Sequence, residues 1–486
     1  MFEPFELGSR VPKAEYTAAV PDLRVRLLNA QFDLQQAPFP VLILIGGDDY
    51  RGVDDLLDVL HEWLDARYID TTVFLRPDEE ERERPLFYRY WRALPPTGRV
   101  GIHIGAWAVG AVRDRVLNEV SPSVQAERIR HIRRFEFAFV DSGGLLLKFW
   151  VHLPPKEHKR RREKARKGSK HYNGHESSRW IWERHDEAIQ AAEEVLGKTD
   201  SASVPWWIVE GTDERHRNLS VARALLDALE ARLNDGSEPA PARPVPTPPV
   251  PDLLGTVDLE ARLERDEYRN RLDGLQDRLR DLAQRARKAE VSSVLVFEGW
   301  DAAGKGGCIR RITRPLEARD CRVVPISAPN EVERAYHYLW RFWRHLPGAG
   351  QTVIFDRSWY GRVLVERVEG LAREDEWRRS YEEIRDFEEQ ITEHGVALAK
   401  FWLHIDPGEQ LRRFRAREQT PYKKYKITDE DYRNREKWAD YEAAVDEMVR
   451  RTSTRHAPWH LIPANDKRYA RVATLETICD ALEKRL

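Results

Sequence analysis

Two kinds of apolar run alternate along the chain. Short blocks that are apolar at almost every position, among them SSVLVFEG (292–299), CRVVPIS (321–327), QTVIFD (351–356) and VALAKFWLHI (396–405), read as strands buried on both faces. Between them, CIRRITRPLEAR (308–319) and AYHYLWRFWRHL (335–346) space their apolar residues as helices do. Upstream, LEARLERDEYRNRLDGLQDRLRDLAQRARK (259–288) gathers its leucines on one stripe and predicts an amphipathic helix against the sheet or between modules. Strands alternating with helices predict an α/β fold whose mostly parallel sheet is covered by helices.

The pattern occurs twice. Adding 252 to a residue number carries Glu15-Tyr16 onto Glu267-Tyr268, Gly47, Asp49 and Gly52 onto Gly299, Asp301 and Gly304, and Pro77 onto Pro329. The same shift carries Trp91-Arg92 onto Trp343-Arg344, Trp107 onto Trp359, Phe135-Glu136 onto Phe387-Glu388, and KFWVH at Lys148 onto KFWLH at Lys400. NDGSEPAPARPVPTPPVP (234–251) holds too much proline to pack a core or continue a helix, and reads as a semi-extended linker. The expected organisation is a first module over 1–233, a linker over 234–252 and a second module over 253–486.

Composition sharpens this picture in three ways. With 41% hydrophobic and 33% charged residues, the chain can build cores, and no segment approaches the ~18 consecutive apolar residues of a membrane span. The opening MFEPFELGSRVPK lacks the basic start and apolar run of a secretory signal, and the three cysteines show no metal or redox spacing, so a cytoplasmic protein is expected. The net charge of -2 conceals two basic clusters, Lys159 to Lys170 and Arg412 to Lys426.

The chemistry concentrates in the second half. VLVFEGWDAAGKGG places a strand, then G-x-x-x-x-G-K from Gly299 to Lys305, at the start of a helix. Such a loop cradles phosphate: glycines admit oxygens close to backbone N–H groups, the helix amino end favours anions, and Lys305 adds a positive charge. Gly306 stands where a hydroxyl residue for magnesium is usual. QTVIFDRSWYGR ends a strand in Asp356, a candidate magnesium carboxylate, followed by Arg357, a candidate phosphoryl clamp. Asp301, inside the loop, is a second carboxylate for the metal or for an acceptor phosphate. Arg413, Arg417, Lys423, Lys424 and Lys426 follow a further strand and read as a basic lid that excludes water.

Together, EGWDAAGKGG, APNEVE, LWRFWRHLP, FDRSWYGR, VERV and RAREQTPYKKYKITDEDYRNREKW resemble the polyphosphate kinase family 2, in its tandem form of two fused P-loop kinase-like modules. The resemblance implies transfer of phosphate from inorganic polyphosphate to a nucleoside monophosphate, chiefly AMP to ADP, with magnesium or, in its place, manganese. It implies that Gly299, Ala303, Gly304, Gly306 and Gly307 hold phosphate around Lys305, and that Arg413, Arg417, Lys423 and Lys426 line the lid or polyphosphate channel. Asp301, Arg362 and Glu366 would contact nucleotide, with Asp301 and Asp356 at the metal. No membrane or nucleic-acid partner is expected. An ATP-dependent nucleoside monophosphate kinase and an inert polyphosphate-binding scaffold are the competing readings.

The first half keeps the framework and loses the chemistry. Val53 stands for Lys305, Ile104 for Asp356, Gly105 for Arg357 and Ala106 for Ser358. It is expected to fold without catalysing and to serve as an internal pseudo-dimer partner. Homo-oligomerisation of the fused chain stays open, and the run from Lys159 to Lys170 reads as a docking surface for a long polyphosphate.

Overall fold

A computed structural model describes residues 1–166, 179–235, 252–420 and 429–486. The linker core and the lid residues Lys423, Lys424 and Lys426 lie outside these, as do Lys167 to Lys170. Among the described residues, the chain forms two compact units, each built on a five-stranded, wholly parallel sheet. The first sheet is ordered β2 (Ile69–Val73), β3 (Val100–Ile104), β1 (Val41–Gly47), β4 (Leu145–His152), β5 (Trp206–Glu210). The second repeats the order in reverse as β10 (Trp459–Pro463), β9 (Ala397–His404), β6 (Ser293–Gly299), β8 (Thr352–Asp356), β7 (Cys321–Pro325).

The apolar blocks become the central strands. All of β1, β3 and β9 is buried, as is β6 up to its last residue, because helices cover both faces and leave no polar side. The amphipathic helix runs Arg265–Lys288 and buries Leu275, Leu279 and Leu282. β10 did not stand out in the sequence: WHLIP carries a histidine and a proline, and at the sheet edge only Trp459 and Ile462 of its residues are buried.

Two expected helices are shorter than their periodicity implies. The first spans Lys305–Thr313, where 308–319 was expected; Arg314 still has helical dihedrals, and the helix stops ahead of Pro315, which has no N–H to continue the ladder. Of 335–346 only Trp340–Trp343 is α-helical. Here the chain changes unit: Arg334–His337 packs with the first unit and the chain from Tyr338 onward with the second. A stretch divided between two packing environments cannot present one continuous helical face. Asp78–Tyr88 makes the opposite exchange, so the compact units are not the contiguous halves 1–233 and 253–486. Each transferred segment is hydrogen-bonded where it lands. Thr97 N donates to Ala335 O at 2.8 Å in the first unit, and Ala349 N donates to Glu83 Oε2 at 3.2 Å in the second.

Both units centre on one buried ion pair. Lys148 on β4 donates to Glu136 Oε2 at 2.8 Å and to Thr199 O at 2.8 Å. Its counterpart Lys400 on β9 donates to Glu388 Oε2 at 2.7 Å and to Thr452 O at 2.9 Å.

The first unit also carries an acid-labile core position. His103 on β3 is fully buried, with Nε2 donating to Ala93 O at 3.0 Å and Nδ1 without a hydrogen-bond partner among the described residues. Burial therefore pushes its pKa down to about 4. A histidine held neutral stabilises the fold above its unfolded pKa near 6.5, and that stabilisation is lost as pH falls towards 4. The second unit has Phe355 at this position. His103→Phe should therefore be near-neutral at pH 7 and remove up to ~3 kcal/mol of the destabilisation between pH 6.5 and 4. Melting curves across that range check this; parallel curves for mutant and wild type would contradict it.

Candidate functional site

The second unit assembles its loop at the carboxyl end of β6, the central strand of its sheet, where ligands gather in open parallel sheets. Gly299 sits at φ +143°, and a Cβ there would lie 2.6 Å from Leu403 O, so a side chain fits neither sterically nor conformationally. Gly304, at φ +119°, turns the loop into the helix Lys305–Thr313. The amides of Lys305 and Gly306 lie in the first helical turn, at the amino end where a helix offers N–H groups to an anion. Lys305 Nζ donates to Gly299 O at 2.6 Å. Burial pulls this ammonium below the ordinary lysine value, opposed first by Asp301 and less strongly by Asp356.

β8 lies beside β6, with Asp356 registered against Phe297, so Asp356 reaches the same sheet edge as the loop. Arg357 follows in the left-handed region at φ +66°, a conformation unfavourable for a side-chain-bearing residue and held by its N–H to Phe297 O at 3.0 Å. This turn brings Arg357 Nη2 to Asp301 Oδ1 at 3.1 Å. Asp301, Lys305, Asp356 and Arg357 thus share one site. Arg362 and Glu366 lie on the following turn and pair with each other at 3.0 Å, with the Arg362 guanidinium over the Tyr338 ring.

Arg413 corrects the sequence reading. It lies on the helix Pro407–Glu418 but is buried, and all of its donor nitrogens are committed. Nη1 donates to Ala302 O at 3.0 Å and Ala303 O at 2.7 Å, Nη2 to Ala464 O at 2.6 Å and Asn465 O at 2.9 Å, and Nε to Glu409. Arg413 therefore fastens the phosphate loop from behind and does not line a channel. Arg417, one turn on, is half-buried and keeps its place at the end of the helix.

Several site residues escaped the sequence reading. Glu298, at the end of β6, is buried and accepts from Ser358 Oγ at 2.8 Å; burial raises its pKa. The duplication held a signal for this pair, because the first half replaces both partners, with Gly46 and Ala106. Trp300 stacks on Trp438 with ring centroids 3.6 Å apart and donates to His404 Nδ1 at 3.0 Å. Asn434 Nδ2 reaches Asp301 Oδ2 at 3.2 Å, and Gln410 Nε2 reaches Asp301 O at 3.2 Å.

The corresponding region of the first unit is closed. Its helix starts at Tyr50, three residues earlier in register than Lys305, and Asp49 caps it by accepting from Gly52 N at 3.1 Å. A carboxylate of the chain itself therefore fills the helix amino end. Both Asp49 oxygens also accept from Arg161 Nη1 at 3.0 Å, and Asp49 is fully buried. Arg161 is the counterpart of Arg413 and belongs to the run read as a docking surface. Its commitment to Asp49 and to Gly211 O removes it from that role. Arg160 is bound to Glu157, its two nitrogens each 2.6 Å from a carboxylate oxygen. Val53 and Ile104 line an apolar cleft with Trp180 and Ile181 where the second unit has Lys305 and Asp356.

The Arg413 assignment predicts that Arg413→Lys, keeping the charge but stranding several carbonyls, destabilises the second unit by ~2–4 kcal/mol. Hydrogen exchange at residues 302–305 should quicken. Arg412→Ala, at an exposed neighbour, should leave both readings unchanged. Unaltered exchange in Arg413→Lys would return the residue to the lid.

Comparison with known proteins gives a consistent result. The family description Polyphosphate kinase 2 (PPK2) matches residues 10–236 and again 262–486. The chain is 48% identical to a polyphosphate:AMP phosphotransferase of Pseudomonas aeruginosa, covering 99% of both chains. It is 35% identical to one of Acinetobacter johnsonii, covering 95% of this chain and 96% of that one. A crystal structure described as a polyphosphate kinase 2 from Pseudomonas aeruginosa PA01 superposes with a TM-score of 0.89 at 46% identity, covering 100% of this chain and 99% of the other. Among the described residues, no helix is long and apolar enough to cross a membrane.

Proposed function

The chain belongs to the polyphosphate kinase 2 family, and on that footing we propose that it is a polyphosphate:AMP phosphotransferase whose second unit performs the reaction. The observation that carries this reading is the convergence of Lys305, Asp301, Asp356 and Arg357 at the end of one central strand pair, on a chain alike over its full length to proteins of that name.

Transfer moves the terminal phosphoryl group of polyphosphate to a phosphate oxygen of AMP. One P–O bond forms, one breaks, and the donor leaves one unit shorter. The loop amides and Lys305 hold the transferring phosphates, and Arg357 neutralises charge on the moving group. Asp301 directs the acceptor phosphate. This is positioning and electrostatic work and needs no covalent enzyme intermediate. Asp301 and Asp356 are hard oxygen donors and suit magnesium, which typically keeps most of its water and takes one or two carboxylates along with substrate phosphates. Bound there, the ion supplies further charge neutralisation.

The test is ADP formation from AMP and magnesium, with long-chain polyphosphate or ATP as donor. Polyphosphate should support turnover, and Lys305→Ala should abolish it. Turnover with ATP alone would indicate a nucleoside monophosphate kinase, and none with either donor a scaffold. The closed first unit adds an expectation. Val53→Lys, introduced into Lys305→Ala, should restore no activity because Asp49 and Arg161 still fill the anion position. It should also destabilise the first unit by ~2–4 kcal/mol, since Val53 is only 2% exposed. Recovered ADP formation would contradict the closure.

A further inference from the structure

The duplication allows each site residue to be compared with its counterpart in a unit that has lost the chemistry. Over the helices that end at Thr452 and Thr199 the register is one residue longer: Trp438–Thr452 and His185–Thr199 are the same length, and the backbone oxygens of their final threonines accept from Lys400 and Lys148 alike. In this register Trp438 corresponds to His185 and Asn434 to Ile181. Trp300, in the loop, corresponds to Asp48.

In the second unit these residues make one latch. The Trp300–Trp438 stack is nearly parallel, at 10°, and fixes the start of the helix Trp438–Thr452 against the phosphate loop. That contact sets the end of the preceding helix, Asp429–Glu436, so that Asn434 reaches Asp301. The carboxylate is then held at both oxygens, Oδ1 by Arg357 at 3.1 Å and Oδ2 by Asn434 at 3.2 Å. In the first unit the stack is replaced by an Asp48–His185 contact of 3.4 Å. The Asn434 position holds buried Ile181, which can donate nothing, and Asp49 turns to Arg161. The packing of the two helices survives the substitution, while the hydrogen bond to the aspartate does not. His185 keeps a contact with the loop and Ile181 keeps a buried side chain, so what the Asn434 position loses is the donor alone, and it loses it together with the counterparts of Lys305, Asp356 and Arg357.

We propose that Asn434 is a positioning residue for phosphoryl transfer, its side-chain amide fixing Asp301 Oδ2 so that the carboxylate points at the acceptor phosphate, with the Trp300–Trp438 stack holding Asn434 in place. The proposal rests on the assigned reaction. It makes the arginine an insufficient guide for Asp301: with one oxygen anchored, the carboxyl plane can still rotate, and a misplacement of about 1 Å costs on the order of 100-fold in rate.

The experiment compares Asn434→Ala and Asn434→Ile with wild type at saturating AMP and polyphosphate. Each should lower kcat about 10- to 100-fold, leaving the KM for polyphosphate and the melting temperature unchanged. In an Asp301→Asn background, Asn434→Ala should cause no further loss, because the group it orients has already been altered. Unchanged kcat, a loss that tracks the melting temperature, or losses that multiply in the double mutant would each overturn the proposal. Wild-type turnover reports separately on the assigned reaction. If only ATP serves as donor, that assignment fails, and the mutant-to-wild-type ratio measured with ATP still decides the role of Asn434.

Discussion

Each unit depends on a lysine and a glutamate buried in its centre. Taking such a pair out of water costs several kcal/mol per ion, and only geometry that satisfies the remaining hydrogen-bonding groups offsets that cost. Here it does. Lys400 spends its three protons on Glu388, Tyr360 OH and Thr452 O, and Glu388 Oε1 accepts from Trp359 Nε1 at 3.1 Å and Tyr360 OH at 2.6 Å. The pair therefore binds β9, the helix Glu374–Glu393, the end of the helix Trp438–Thr452 and the turn after β8 into one node. That turn presents Arg357. The strained backbone at Arg357 is sustained because Trp359 and Tyr360, two and three residues on, are anchored in this node.

The first unit keeps the node without Tyr360, for which Ala108 stands, and Trp107 Nε1 still donates to Glu136 at 2.8 Å. This explains how the fold persists where Val53, Ile104 and Gly105 stand for Lys305, Asp356 and Arg357. At the turn, scaffold and chemistry meet. Replacing the residues at the turn's exposed side leaves the ion pair satisfied, whereas removing either ion would strand the other in the core, at a cost of ~3–5 kcal/mol. With no counterpart of Lys305, the buried carboxylates of the first unit, Asp49 and the Asp48 that stands for Trp300, are balanced from within. Arg161 does so for Asp49, while Asp48, despite the cost of burial, is held well below the usual carboxylate range by a hydrogen bond with His152 and the contact with His185.

Most of this was legible in the sequence where one residue type in one local pattern suffices. Buried parallel strands need unbroken apolar runs, and a loop between strand and helix needs its glycines, so β6, the cradle and Asp356 could be placed from the sequence. The residues that escaped act across long sequence separations. Arg413 lies in a basic run whose neighbours are exposed, and only its distance from Ala302 and Ala464 distinguishes a clamp from a lid. Glu298 reads as part of a strand until Ser358 is brought beside it. The exchanged segments Asp78–Tyr88 and Arg334–His337 carry no local mark in the sequence.

The duplication also corrects the inference that a residue kept in both halves does the same thing in both. Arg161 and Arg413 occupy one register position and both bind the glutamate one turn before them, Glu157 and Glu409. Yet Arg413 grips loop carbonyls and leaves Asp301 to other partners, while Arg161 takes the aspartate itself. The difference follows from where the helix begins. When the loop stays open through Gly304, its carbonyls face backwards and require donors. When the helix starts at Tyr50, those carbonyls enter helical bonding, and the freed guanidinium turns to the nearest anion. Identity at a position therefore records the scaffold, and the partner of that residue records whether the site is open.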